Sequence, residues 1–145
     1  MKKNLFTLIL IFSSLFSFGQ EANEADTLRR DALRVFMEAD DFIRQEISYI
    51  NYVRDIKDAQ VYIISSDQRT GSGGREYTFY LIGQHEFAGM KDTLQFVSQP
   101  DATENQTREL KASTLKQGLM RYVRTTPLAR HIHISFDQPV SEEVI

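Results

Sequence analysis

Three histidines and one glycine-rich turn are the residues of this chain whose types and spacing offer chemistry. His131 and His133 stand two apart in "HIHISF". On a strand both would point to one face, and strand pairs of this kind supply zinc ligands. His85, with Glu86 beside it, is the third nitrogen such a site would need. The plainer reading makes these histidines polar residues on the open face of an edge strand, so no metal is expected, and His131, His133 and His85 are kept as its weak candidates. The stretch "DQRTGSGGREYTF" (67–79) holds Gly71, Gly73 and Gly74, with Arg69 before them and Arg75 after. A phosphate-cradling glycine loop must lead from a strand into a helix, whose first N–H groups hold the anion. Here the glycines lead into "EYTFYLIG", a strand pattern, and no Gly-Lys-Ser/Thr ending follows. The stretch therefore reads as the tip of a hairpin, with Arg69 and Arg75 as candidate partner contacts.

Other catalytic patterns are weaker. Ser65, Ser66 and Ser72 do not stand in a Gly-x-Ser-x-Gly elbow. Asp40 with Asp41, and Glu142 with Glu143, are adjacent pairs whose carboxylates point in different directions on a helix, so the first reads as capping and the second as solvated tail. Asn105 opens a formal glycosylation acceptor with Thr107. No catalytic residue and no cofactor is expected.

The elements that would position these residues follow from periodicity. Lys2 and Lys3, an apolar run to Phe18 and the small residues Ser17 and Gly19 predict a signal peptide over 1–19. The apolar run is shorter than the roughly 20 residues that cross a bilayer. Cleavage would remove two lysines and no acid, taking the net charge of −3 to −5. A mildly acidic chain lacks the basic face that nucleic acid requires. The absence of cysteine excludes disulfides, cysteine-ligated metals and a lipid anchor on an N-terminal cysteine.

Residues 20–31 are polar and aperiodic and read as a flexible leader; a single α+β domain is expected over 32–137, and a polar tail over 138–145. "LRVFM" (33–37) alternates as a strand. In "EADDFIRQEISYINYVRD" (38–55), Phe42, Ile43, Ile47, Ile50 and Val53 recur at helical spacing, with Asp40 or Asp41 as cap. "QVYIISS", "EYTFYLIGQ" and "TLQFVSQ" read as three strands of an antiparallel meander, the first with both faces at least partly covered. A second helix follows, opened by Asp101 with Glu104 or by Thr103 with Gln106 at capping-box spacing, striped by Leu110, Leu115, Leu119, Tyr122 and Val123, and stopped by Pro127. "HIHISF" reads as a last strand. The expected fold is a mixed sheet of about five strands with two helices on one face, in the order β-α-β-β-β-α-β, the first three elements forming a crossover.

That order, with "DAQVYIISSDQ", "GREYTFYLIGQ", "DTLQFVSQ" and "LKQGLMRYV", resembles the amino-terminal periplasmic α/β domain of TolB and related folds in CsgG-type secretion components. The runs from "DDFIRQEISYINYVRD" to "LIGQ" and "LMRYVRTTPLA" are similar to exported Bacteroidota proteins in which such a domain precedes an outer-membrane β-barrel. The resemblance spans about residues 33–136 and rests on structural motifs, so it carries no functional residue. It implies a periplasmic, non-enzymatic binding or envelope-assembly module with an envelope or outer-membrane protein as partner, received at the edge of "HIHISF" or "LRVFM". This chain has no barrel pattern before Ile145, and it is expected to be either a free domain or the soluble part of a longer protein. The alternative from another class is a small-ligand or metal-dependent enzyme using His131 and His133.

Overall fold

A computed structural model describes residues 29–135; the expected signal peptide, most of the leader and the tail lie outside the described residues. The elements run β1 (Arg34–Phe36), α1 (Asp41–Glu46), β2 (Asn51–Tyr52), β3 (Val61–Arg69), β4 (Arg75–Gly83), β5 (Lys91–Ser98) and α2 (Glu104–Val123). The five strands form one mixed sheet in the order β2-β1-β3-β4-β5. β1 is parallel to both β2 and β3, while β3, β4 and β5 form the antiparallel meander. The α+β class, the two helices and the strand count are as the sequence predicts.

The first helix is shorter than its apolar spacing predicts. Asp40 caps it by accepting from the Ile43 N–H at 2.8 Å, and it ends at Glu46. Ile47 and Ile50 remain in the core, but residues 51–53 leave the helix and pair with β1, the Asn51 and Val53 N–H groups donating to Leu33 O and Val35 O. The run "ISYINYV" is β-branched and aromatic, a composition that fits a pleated surface once an unpaired edge lies beside it. Tyr52 rewards the fold-back, since its hydroxyl donates to Ile43 O at 3.3 Å and Ile47 O at 3.1 Å, carbonyls at the end of α1.

α2 begins where the second of the two capping patterns places it. Thr103 Oγ1 accepts from the Gln106 N–H at 3.2 Å, and Gln106 Oε1 accepts from the Thr103 N–H at 2.9 Å. The helix lies along β5 and is tied to it at both ends. Ser98 Oγ and Thr107 Oγ1 are 2.7 Å apart, and the Tyr122 hydroxyl donates to Asp92 at 3.0 Å while Arg121 pairs with the same carboxylate. Ala112, Leu115, Leu119, Tyr122 and Val123 enter the core with Val35, Ile43, Ile47, Val61, Ile63, Phe79 and Leu81. Leu110 does not join that stripe and is 44% exposed.

The expected last strand is absent from the described residues. Pro127 opens a 3₁₀ segment (Pro127–His131) rather than only ending α2, and residues 132–135 that follow pair with no strand. The alternation of Ile132 and Ile134 misleads because only Ile132 packs on the core; Ile134 is 74% exposed. The sheet has five strands because β2 is present and the C-terminal strand is not. Among the described residues no helix is long and apolar enough to cross a membrane.

Candidate functional site

The glycine-rich stretch joins β3 to β4, so it forms a hairpin tip as its surroundings predict. The Gly73 N–H donates to Thr70 O, the Thr70 N–H donates to Gly74 O, and Gly73 takes φ +88°, a three-residue loop closed through a left-handed glycine. Gly74 is needed for a different reason, because a Cβ there would stand 2.4 Å from Ser98 O. Arg75 is not a loose cation at this tip: it pairs with Asp67 on β3. Arg69 faces Arg75 across the hairpin and is exposed.

The histidines are not displayed as expected. With no strand at 131–135, His131 closes the 3₁₀ segment and His133 follows it, both exposed, so they share no sheet face. His85 lies in a turn at φ 52°, its Nε2 3.0 Å from Lys57 O. Among the described residues these three histidines and their acidic neighbours form no group able to hold a metal ion. Glu86 instead bonds Gln60, whose Oε1 accepts from the Arg34 N–H at 2.8 Å. A hydrogen bond from its own backbone holds the Glu86 carboxyl below the usual range, aided by Gln60 and Arg34 against the cost of burial.

Two features of the sheet itself bear on function, and sequence reasoning missed the second. Helices cover one face of it, where Val61, Ile63, Phe79 and Leu81 point. The other face is not covered as the pattern in β3 suggested. Ile64 is 51% exposed and Tyr80, its partner across β3 and β4, 42% exposed. Tyr62 and Ile82 form the next such pair and are partly exposed, and Phe36 lies beside Tyr62. Together these make an apolar patch on a bare sheet face.

The second feature is the edge. The edge strands are β2, two residues long, and β5, eight residues long; β1, expected as a receiving edge, is interior, and residues 131–135 of the other expected edge form no strand. The Gly83 N–H donates to Met90 O at 2.9 Å. Hydrogen-bonded pairs recur at every second residue of an antiparallel ladder. Asp92, Leu94, Phe96 and Ser98 therefore bond to β4, and the backbone groups of Lys91, Thr93, Gln95 and Val97 point away from the sheet. Among the described residues no backbone group bonds to that outer edge. Beside its far end lies a groove of about 610 Å³ between the strand and the first half of α2, lined by Val97, Gln99, Asp101, Gln106, Glu109 and Leu110 among others.

No family model matches this chain, and no curated protein matches it either.

Proposed function

We propose that the protein is an exported, non-enzymatic binding module of the bacterial envelope, acting in the periplasm on an outer-membrane or other envelope protein. The observation that carries this reading is the outer edge of β5, unpaired among the described residues, eight residues long and continuous with the bare face that bears Ile64 and Tyr80. An unpaired strand edge is a template for another strand, and main-chain hydrogen bonds then supply affinity without requiring any catalytic group. The lysine-led apolar N-terminus supports export, and the likeness of the strand and helix order to the amino-terminal domain of TolB supports the envelope as its place of work.

The test is site-specific photo-crosslinking in whole cells. Probes at Thr93, on the edge, and Tyr80, on the bare face, should capture the same envelope protein, while a probe at Lys57, in the turn between β2 and β3, should not. A protein that stays in the cytoplasmic fraction, or equal capture from all three positions, would end this reading.

A further inference from the structure

We infer that the groove between the β5 edge and the first half of α2 receives an extended peptide segment of the partner carrying a lysine or arginine. The inference rests on the binding-module reading above and specifies its ligand. An incoming strand would meet the outward backbone groups of Lys91, Thr93, Gln95 and Val97 in turn, since they recur along one edge. Its side chains then alternate between the two sides of the sheet. One set extends the bare face beside Thr93, Gln95 and Val97. The other set faces α2 and the groove.

The groove's chemistry selects among those side chains. Leu110, 44% exposed, and Ala102 give it apolar walls, and the strand borders it at Val97. Asp101 stands on the loop side and Glu109 on the helix side, and among the described residues no lysine or arginine lines the groove. A long cationic side chain is apolar along its stem and charged at its head. Its stem would lie across Leu110 and Ala102 while the head reaches Asp101 or Glu109. Lys91, exposed at the opposite end of the strand, disfavours a cation there, so the two ends of the edge differ and the peptide takes one direction. A groove of this volume is within the usual range for a ligand site of roughly 300–1,000 Å³.

The probes are synthetic eight-residue peptides of alternating threonine and valine with one arginine near an end, a twin with glutamate in its place, and a twin methylated at alternate backbone nitrogens. Each is titrated into the mature chain by fluorescence anisotropy and by amide chemical shifts. The arginine peptide should bind about tenfold more tightly than its glutamate twin, since two exposed acids attract one and repel the other. Shifts should concentrate in residues 91–113, and N-methylation should abolish binding. In the double variant Asp101→Lys, Glu109→Lys the preference should reverse, with the melting temperature confirming that the fold is kept.

Equal affinity for the two charged peptides, undiminished binding of the N-methylated twin, or no binding at millimolar peptide would overturn the inference. So would a dimer in sedimentation that Thr93→Pro dissolves, because the edge would then belong to a second copy of the chain. Proline there removes only an outward N–H, a position edge strands tolerate. Crosslinks from Thr93 in cells together with failure of every peptide would reject this ligand and leave the binding module standing; peptide binding without crosslinks would do the reverse.

Discussion

Gly118 sets how closely α2 can lie on the sheet, and replacing it with alanine opposes two effects of known size. Glycine inside a helix costs about 1 kcal/mol relative to alanine, so helix propensity alone makes Gly118→Ala stabilising. The added Cβ, however, would stand 2.2 Å from Leu94 Cδ1 and 2.9 Å from Leu81 Cδ2. Leu81 has no exposed surface and cannot give way, whereas Leu94 lies on the outer strand and is only partly buried, so Leu94 is the side chain that must move. Forcing an extra carbon into a packed core costs about 1–3 kcal/mol. Overpacking therefore wins, and the variant should be less stable by about 1 kcal/mol. The urea midpoint should fall with the slope unchanged. The deciding measurement is the same substitution in a Leu94→Ala background, where the obstructing carbon is gone. There the nearer obstruction is gone while Leu81 Cδ2 still stands 2.9 Å away, so Gly118→Ala should cost about 1 kcal/mol less than in the parent chain, a coupling that a double-mutant cycle resolves. If the substitution has the same effect in both backgrounds, the steric account of Gly118 is wrong.

Thr103→Ala removes the side-chain half of the capping box at α2, and should cost about 1 kcal/mol in the same urea titration. The tyrosines predict the alkaline limit of the fold: burial, reinforced by the bond to Asp92, pushes Tyr122 up to about 12, and burial pushes Tyr49 up to about 12. A group whose pKa is raised on folding stabilises fully below its unfolded value, near 10, and loses that stabilisation as pH rises through the folded one. Melting temperature should therefore fall between about pH 10 and pH 12, and less steeply in Tyr122→Phe. Tyr49→Phe should flatten the slope as well but, because the Tyr49 hydroxyl is buried without a hydrogen-bond partner among the described residues, cost nothing at neutral pH.

The meander and the long helix were legible because their signals are local. Alternation over β3 and β4 runs for nine residues each, and the glycines between them mark the turn. α2 carries a reciprocal cap and a stripe of buried residues at helical spacing. The two ends of the domain were not legible because their signals compete with tertiary structure. Phe42, Ile43, Ile47 and Ile50 keep helical spacing although only the first two lie in α1, since Ile47 and Ile50 are buried from a turn as well as they would be from a helix. At 131–136 the alternation of histidine and isoleucine fits a strand, but over 131–135 no strand forms, because Ile132 packs on the core while Ile134 is 74% exposed and no apolar face is buried.

This exchange of one strand for another has a functional consequence that the strand count conceals. With β2 on one side, β1 becomes interior, and the histidines lose the sheet on which a metal site would have been displayed. The two-residue β2 offers a visiting strand little to pair with, so among the described residues the long free edge lies at the far side of the meander, on β5. There α2 already runs alongside, fixed by Ser98 with Thr107 and by Asp92 with Tyr122 and Arg121. Among the described residues the three histidines form no group able to hold a metal ion. The backbone groups of Lys91, Thr93, Gln95 and Val97, in contrast, are aligned along one edge, on a strand bonded to the helix that also supplies Glu109 and Leu110.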